Sequence, residues 1–402
     1  MSMPNKKSVL IVINSMDLGG AQKSLISFLK CLEACGKSAD YDISLMTAKP
    51  GGVFQSGIPA YVRQVPPPKE LMWLGTPRGS ALLKQNPSLR GRLGKLRWIV
   101  SRKQTLRHKK LNAEQRLWEN WRALVPRLPG RYDIAVSYMN GFPNYYVSDK
   151  VTAGKKVLWI HNEYQKLGYD ADYDRRFYAA CGQVITISRA CADSFTQVFP
   201  EFAAKTAVLP NITLSEDVRR KAEEGAAPEF EGFDGMKVLF VGRLTAQKQF
   251  SLAAEAAALL KGDFRWLIVG EGPEREELEA LIRGKGLTGK VRLIGLRENP
   301  YPYMRACDVF AQTSVYEGKS IVLDEAKLLG KPIAVTDYPT AKDSIRDGET
   351  GLIAEMTPQS VAAAVTRLYE DAALRERIMG NLSKEEPAER KALEDYIRVM
   401  ME

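Results

Sequence analysis

The stretch VLIVINSMDLGG, residues 9–20, is an apolar run that ends in a turn with two glycines, and a helical pattern from Ala21 to Leu32 follows it. A second stretch, KVLFVGR at residues 237–243, is followed by a helical pattern from Ser251 to Leu260. Short apolar runs that alternate with helices are typical of buried parallel strands joined by crossover connections. Each stretch therefore predicts the first strand of a parallel α/β sheet.

The same alternation continues in both halves of the 402-residue chain. Further strand-like runs lie at 42–47, 134–138, 156–160 and 184–188, and then at 266–269, 291–294, 309–312 and 333–336. We expect an α/β protein of two Rossmann-like domains whose parallel sheets face each other across a cleft, with ligands at the carboxyl ends of the strands. The predicted domains are 1–211, with a basic helical insertion at about 69–131, and 234–380, joined by a linker near 211–234.

Composition excludes several classes of protein. A hydrophobic fraction of 45% with 26% charged residues is typical of a globular protein, and no run approaches the roughly 20 apolar residues that span a bilayer. Five scattered cysteines without a Cys-x-x-Cys pair disfavour a disulfide scaffold and a zinc site. His108 and His161 are the two histidines, too few for a His-rich metal centre. We expect a cytoplasmic protein without a metal cofactor.

The positive charge is concentrated in residues 69–131, which hold 16 lysines and arginines against three acidic residues. Trp73 and Trp98 lie among these cations. Such a segment suits anionic lipid headgroups or a phosphorylated acceptor, and it would place the protein peripherally on the inner face of the cell membrane. A solvated helical face has the same composition. Nucleic acid is not expected as a partner, because none of its usual binding motifs occurs.

The segment SVYEGKSIVLDEA, residues 314–326, contains two glutamates eight positions apart across a predicted junction of loop and helix. A helix that starts near Ser320 would point its free amides at a diphosphate, and Gly318 would let the backbone approach closely. Glu325 would then be placed to accept hydrogen bonds from ribose hydroxyls, and Glu317 from a sugar hydroxyl. Either glutamate alone would also fit a solvated or helix-capping role.

Two cations follow the predicted strand of the second half. Arg243 and Lys248 lie five residues apart at its carboxyl end, where they can neutralise a diphosphate leaving group without a metal. Two surface cations beside a turn would give the same spacing. In the first half, Gly19 and Gly20 would let the main chain approach phosphates or a donor sugar. The turn lacks the full Gly-x-Gly-x-x-Gly fingerprint, which counts against a nicotinamide dehydrogenase.

His161 follows the apolar strand pattern at 157–160. A polar ring at the carboxyl end of a buried strand can bond a sugar hydroxyl or stabilise charge during transfer, although a structural histidine also fits. His108, which lies among cations, is interpreted as a surface residue.

Together these motifs resemble the retaining glycosyltransferases of family 4, often called group 1, which have the GT-B fold. In the second half the resemblance is nearly continuous from Lys237 to about Arg377. Its matching positions there are Gly242-Arg243 with Lys248, Val269-Gly270-Glu271-Gly272-Pro273, Gly295, Asn299-Pro300-Tyr301, Glu317 with Glu325, Gly330-Lys331-Pro332 and Gly348-Glu349-Thr350-Gly351-Leu352. In the first half it is thinner and rests on Gly19-Gly20-Ala21, Trp159-Ile160-His161-Asn162 and Ile187-Ser188.

The resemblance implies roles for the matching positions. The implied catalytic set, which contacts the sugar and its diphosphate, is Glu317, Arg243, Lys248 and His161. The implied donor-binding set is Gly19, Gly20, Gly242, Leu296, Arg297, Gly318, Lys319, Ser320 and Glu325. Glu325 would bind the ribose, the backbone at 296–297 the base, and the glycines would close over the donor. Such enzymes usually need no metal and retain anomeric configuration, and a C-terminal helix, here about 388–402, packs back on the acceptor-side first domain.

Three positions depart from the family pattern. Gln22 stands where glutamate is frequent, Gln249 where glycine often follows the lysine, and Ser320 where proline is common. None of them removes a charged donor contact. The expected partners are therefore a nucleotide diphosphate sugar and a saccharide acceptor, which the basic stretch suggests is lipid-linked. A non-catalytic GT-B module of a polysaccharide assembly complex is the alternative, and a sugar-nucleotide epimerase is disfavoured by the scarcity of histidines.

Overall fold

The computed structural model describes residues 6–17, 19–72, 110–385 and 389–402. They form two compact units, Met1–Ile212 with Arg390–Glu402, and Thr213–Glu389. The predicted basic insertion is described at its two ends, whereas residues 73–109, with Trp73, Trp98 and His108, lie outside the described residues.

Unit 1 contains a seven-stranded parallel sheet in the order β3-β2-β1-β4-β5-β6-β7. Its strands are β1 Lys7–Ser15, β2 Tyr41–Lys49, β3 Arg63–Gln64, β4 Tyr132–Ser137, β5 Ala153–Ile160, β6 Gln183–Thr186 and β7 Thr206–Val208. Residues 9–13 of β1 are completely buried, as expected for a central strand covered on both faces. The strand order reverses between β1 and β4, and the carboxyl ends of strands at such a point are the usual ligand-binding edge.

Helices and a core rich in aromatic residues surround this sheet. The helices are α1 Gly20–Ala34, α2 Lys69–Met72, α3 Ala113–Trp121, α4 Phe142–Lys150, α5 Ala171–Ala179 and α6 Arg189–Val198. Buried Asp174 of α5 accepts hydrogen bonds from the Gln115 amide nitrogen at 2.7 Å and from the hydroxyls of Tyr145 and Tyr164 at 2.9 and 2.8 Å. Burial raises the pKa of Asp174 to about 6 although these donors favour its charged form. The network fastens α3 to α4 and α5.

Unit 2 contains a six-stranded parallel sheet in the order β10-β9-β8-β11-β12-β13. Its strands are β8 Met236–Val241, β9 Phe264–Val269, β10 Val291–Gly295, β11 Val309–Gln312, β12 Ile333–Thr336 and β13 Leu352–Ala354. Its helices are α7 Ser215–Glu223, α8 Phe250–Ala257, α9 Arg275–Gly284, α10 Tyr301–Ala306, α11 Ile321–Leu328, α12 Ala341–Ser344, α13 Pro358–Glu370 and α14 Ala372–Leu382. The order reverses between β8 and β11, which makes the carboxyl ends of these two strands the expected ligand edge.

The polar stretch that the sequence suggests as a linker contains the helix α7. Val218 and Ala222 of α7 and the following Phe230 are buried in the same apolar cluster as Tyr301 and Met304 of α10. One narrow apolar face is enough to anchor a helix whose other positions are charged. The stretch is therefore part of the core of unit 2.

The C-terminal segment packs in unit 1. It consists of α15, Glu389–Tyr396, and a π-helical turn, Ile397–Met401. Tyr396 is fully buried; its ring centroid lies 5.1 Å from that of Phe28, and its hydroxyl donates to the Pro210 carbonyl at 3.2 Å. The ammonium of Lys155 donates to the Val399 carbonyl at 2.9 Å.

The two parallel α/β sheets confirm the predicted fold class, since strands and helices alternate in both units. Across the described ranges, no helix is both long enough and apolar enough to cross a membrane.

Candidate functional site

The loop after β8 carries the two predicted cations and is hydrogen-bonded to the backbone that follows β9. The Gly242 amide donates to the Val269 carbonyl at 3.0 Å, and the Leu244 amide donates to the Glu271 carbonyl at 3.0 Å. A Cβ atom on Gly270 would overlap the Gly242 carbonyl oxygen, so the two backbones can approach this closely only without a side chain there. The backbone that presents Arg243 is thereby fixed at the carboxyl edge of the sheet.

Lys248 and Glu317 form an ion pair at this edge. The Lys248 Nζ lies 2.5 Å from the Glu317 Oε1, and the two side chains are 16% and 8% exposed. The same oxygen accepts from the Ser314 hydroxyl at 2.6 Å and from the Gln312 amide nitrogen at 2.9 Å, while Oε2 accepts from the Gln247 amide nitrogen at 3.3 Å. The Glu317 carboxylate therefore holds the ammonium of Lys248 in one place.

Helix α11 begins directly beside this pair. Ser320 is its N-cap residue and is 3% exposed, but its side chain makes no capping hydrogen bond. The preceding loop is fixed by Thr336, whose hydroxyl donates to the Ser314 carbonyl at 2.6 Å, and by Thr340, whose hydroxyl donates to the Glu317 carbonyl at 3.0 Å. The Val315 amide donates to the Gln247 carbonyl at 2.9 Å, so the loop that precedes the positive end of the α11 dipole is joined to the loop that carries Lys248.

Arg243 is exposed, and the stem of Lys248 passes over the neighbouring glycine: a Cβ on Gly242 would lie 3.5 Å from the Lys248 Cδ. Both predicted cations therefore project from the same loop. Lys319, between Gly318 and Ser320, forms an ion pair with Asp324 of α11 at 3.1 Å.

The other donor-binding residues predicted in unit 2 have different surroundings. Glu325 is 1% exposed, and its Oε1 accepts from the Tyr301 hydroxyl at 2.9 Å. Leu296 is 44% exposed after β10, whereas the guanidinium of Arg297 lies 2.8 Å from the Glu229 carboxylate. Burial alone would raise the pKa of Glu229. Hydrogen bonds from Tyr303 and Arg297 outweigh the effect of burial and hold the pKa of Glu229 below its ordinary value. The Arg297 guanidinium also donates to the Leu296 carbonyl at 3.2 Å, so both this side chain and that carbonyl have partners within the protein.

Gly19, Gly20 and His161 belong to unit 1, at the carboxyl edge of its sheet. Gly19 is the N-cap of α1 and Gly20 its first residue. A Cβ on Gly19 would overlap the side-chain oxygen of Gln22, whose amide nitrogen donates to the Ser15 carbonyl at 3.2 Å. Gln22 therefore lies against the glycine turn.

His161 follows β5 and is 8% exposed. Its ring stacks on Trp159, with centroids 5.2 Å apart and an interplanar angle of 18°, and its Nε2 lies 3.1 Å from the Tyr138 carbonyl oxygen. Burial lowers the pKa of His161 to about 4, although the Tyr138 hydrogen bond acts in the opposite direction. The ring is neutral near pH 7; because a carbonyl only accepts, Nε2 carries the proton and Nδ1 remains an acceptor.

The predicted site lacks several residues of this constellation, among them three that bond the 314–320 loop. Gln312, Thr336 and Thr340 bond the 314–320 loop from β11, from β12 and from the turn before α12. Gln312 and Thr336 could have been found from the sequence, because each is a polar residue at the carboxyl end of an otherwise apolar strand. Among the residues that the structure describes, no group of three or more His, Cys, Asp or Glu side chains is arranged to hold a metal ion.

Comparison with known proteins gives a family match and several relatives. Residues 228–384 match the family model of glycosyl transferases group 1. Over 246 residues the chain is 31% identical to the N-acetylgalactosamine-N,N'-diacetylbacillosaminyl-diphospho-undecaprenol 4-alpha-N-acetylgalactosaminyltransferase of Campylobacter jejuni, covering 58% of this chain and 66% of that one. It is 33% identical over 146 residues to a lipopolysaccharide core biosynthesis glycosyltransferase of Rhizobium meliloti, covering 36% and 43%. The chain thus spans about two-fifths to two-thirds of these relatives' lengths.

Solved structures match over almost the whole chain. HepE of Anabaena, in complex with UDP and glucose, has a TM-score of 0.66 at 18% identity and covers 98% of this chain and 97% of its own. TarM of S. aureus, in complex with Fondaparinux, alpha-GlcNAc-glycerol and UDP, has a TM-score of 0.67 at 14% identity, covering 98% and 100%. At these identities the likeness establishes the fold. The chain therefore has two Rossmann-like domains of the GT-B fold, and its residues 228–384 match the model of glycosyl transferases group 1.

Proposed function

We propose that this chain is a retaining glycosyltransferase of family 4 that moves a sugar from a nucleotide diphosphate sugar to a saccharide acceptor in surface polysaccharide or glycolipid biosynthesis. The observation that carries the proposal is the Lys248–Glu317 pair beside the start of α11, at the carboxyl edge of β8 and β11. The pair lies within the residues that match the group 1 model. A cation and the positive end of a helix side by side suit a diphosphate.

The chemistry of the transfer requires stabilisation of the departing diphosphate, on which negative charge develops as the glycosidic bond breaks. Lys248, Arg243 and the first-turn amides of α11 supply that stabilisation as fixed donors. Glu317 keeps the Lys248 ammonium in place through its 2.5 Å contact. With this charge available from the protein, transfer proceeds without a metal.

On the acceptor side, neutral His161 uses its Nδ1 to accept a hydrogen bond from a hydroxyl of the transferred sugar. Its pKa of about 4 makes it a poor base at neutral pH. In the proposed transfer, the acceptor's proton goes to the departing phosphate oxygen in a same-face attack that retains configuration, as the family resemblance implies. Gly19 and Gly20 present backbone without side chains to the donor at the start of α1, with Gln22 lying against the turn.

The relatives favour particular substrates. The Campylobacter jejuni relative is named for transfer to a diphospho-undecaprenol-linked saccharide, and the HepE structure contains UDP. We infer a UDP-sugar as donor and a lipid-linked saccharide as acceptor. The basic stretch 69–131 then favours a cytoplasmic protein bound peripherally to the inner face of the membrane. A protein that ignored vesicles containing phosphatidylglycerol at low salt would contradict the membrane part.

Transfer assays test the proposal directly. The protein is incubated with a panel of UDP-, GDP- and ADP-sugars and an undecaprenyl-diphosphate-linked saccharide, with and without EDTA, and the anomeric configuration of the product is read by NMR. We expect a retained configuration, unchanged turnover in EDTA, and at least a tenfold loss in Arg243→Ala, corresponding to about 1.4 kcal/mol of transition-state stabilisation. Donor binding without any transfer would instead favour the non-catalytic module, and isomerised donor in the absence of acceptor an epimerase.

A further inference from the structure

The side chain of Gln312 connects the two parts of the proposed diphosphate site. Gln312 is the last residue of β11 and is completely buried. Its amide nitrogen donates to the Glu317 Oε1 and to the Ser314 hydroxyl, each at 2.9 Å, and its Oε1 accepts from the Ser320 hydroxyl at 2.9 Å. The amide orientation is determined by chemistry, because an ionised carboxylate only accepts and must face the NH₂ group.

The bond to Gln312 changes what Ser320 does. A serine at an N-cap position ordinarily accepts a hydrogen bond from an amide of the first helical turn. Ser188, the N-cap of α6, does this with the Cys191 amide at 3.2 Å. Ser320 instead directs its hydroxyl to Gln312 and makes no capping bond to α11. The first-turn amides of α11 are thus not occupied by their own N-cap side chain.

We infer that Gln312 is a positioning residue that prepares both parts of the diphosphate site at once. Through Glu317 it fixes the ammonium of Lys248, and through Ser320 it keeps a competing hydroxyl away from the first turn of α11. The inference rests on the proposed function, because it assigns these amides and this ammonium to a nucleoside diphosphate.

A rescue experiment distinguishes this role from a merely structural one. Gln312→Met keeps the length of the side chain and removes its hydrogen bonds, so Ser320 becomes free to cap α11 in competition with phosphate. We expect the Kd for UDP, or for whichever of UDP, GDP and ADP binds the wild type, to rise about tenfold by calorimetry. Ser320→Ala in the Gln312→Met background removes the competing hydroxyl. The double variant should have a Kd at least threefold lower than that of Gln312→Met. Ser320→Ala alone, which keeps the Ser320 backbone amide, supplies the reference Kd against which the double variant is compared.

A matched control distinguishes the general effect of removing a buried side-chain amide from the specific effect of removing the Gln312 amide. Gln115 in unit 1 is also completely buried, and its amide nitrogen donates to the Asp174 carboxylate at 2.7 Å. Gln115→Met should leave the diphosphate Kd within twofold of the wild type. Should Gln312→Met fail to fold, Gln312→Asn, which is too short to reach both partners, is expected to show the same loss and the same rescue.

The outcomes separate the inference from the function beneath it. A wild type that binds none of the three nucleoside diphosphates contradicts the proposed function itself. Binding by the wild type with an unchanged Kd in Gln312→Met overturns the positioning role alone. A loss that Ser320→Ala does not relieve also overturns it, because the competing cap would then not be the cause.

Discussion

Replacing Lys248 with methionine tests whether the ion pair with Glu317 is buried and specific. Methionine retains most of the lysine stem but leaves the Glu317 carboxylate without its cation. The contact is 2.5 Å long, between side chains that are 16% and 8% exposed. Removing one partner of a buried pair typically costs about 3–5 kcal/mol, since the other charge remains desolvated and unpaired.

The lower end of that range applies here, because Glu317 keeps the donors from Ser314, Gln312 and Gln247. We therefore expect Lys248→Met to lower the free energy of unfolding of unit 2 by about 3 kcal/mol. Glu317→Gln in the same background removes the unpaired charge. The double variant should be more stable than Lys248→Met by about 1–2 kcal/mol.

The two units can unfold separately, so a local measurement is required. Hydrogen exchange of peptides from residues 309–328, followed across urea concentrations, reports the free energy of unfolding around β11 and α11. Gly380→Ala, in α14 at a position where a Cβ would meet no atom within 4 Å, is a control that should not lower the free energy of unfolding. Purely additive losses in the double variant would refute the reasoning, because they would mean that the two side chains do not interact.

Three further changes follow from the backbone and from burial. Gln249 is the one non-glycine residue with positive φ in the described ranges, at 47°, so Gln249→Gly should stabilise unit 2 by up to about 1 kcal/mol in urea unfolding, whereas Gln249→Ala should not. Gly270→Ala should destabilise unit 2 by at least about 2 kcal/mol, because the new Cβ would overlap the Gly242 carbonyl; a normal midpoint would contradict the close approach. The pKa of His161 is about 4 in the folded protein and 6.5 ordinarily, so lowering the pH protonates this ring in the unfolded chain first. The buried neutral ring therefore contributes fully to the free energy of unfolding above pH 6.5, and about 2–3 kcal/mol of that free energy is lost as pH falls toward 4. His161→Gln should therefore flatten the pH dependence of unit 1 stability between pH 4 and 7, and an unchanged slope would contradict its burial.

Local sequence patterns predicted most of the fold. The runs at 9–13 and 238–241 lie in the central strands β1 and β8, because four or five consecutive apolar residues ahead of a turn and a helix have few other places in an α/β protein. The helix α7 was missed for the opposite reason. Only Val218 and Ala222 mark its buried face, and the charged residues around them are typical of a linker.

The candidate site was harder to predict from the sequence than the fold. Glu317 and Lys248 could be selected because both lie in distinctive loops, but their direct pairing depends on the adjacency of β8 and β11, which are far apart in sequence. Gln249 shows the same limit: its departure from the family's glycine was visible, whereas its left-handed conformation was not. Gln312 gave only a weak signal, since its importance arises from three partners gathered by folding.

The central proposal is that a diphosphate binds at the carboxyl edge of the six-stranded sheet, between Lys248 and the start of α11. Hydrogen exchange of the wild-type protein with and without saturating UDP, GDP or ADP measures this most directly. The account predicts that the nucleotide that binds slows exchange in peptides covering 242–248 and 314–325 and leaves peptides of α13 and α14 unchanged. Nucleotide binding that protects other segments while these two exchange at their original rates would contradict it.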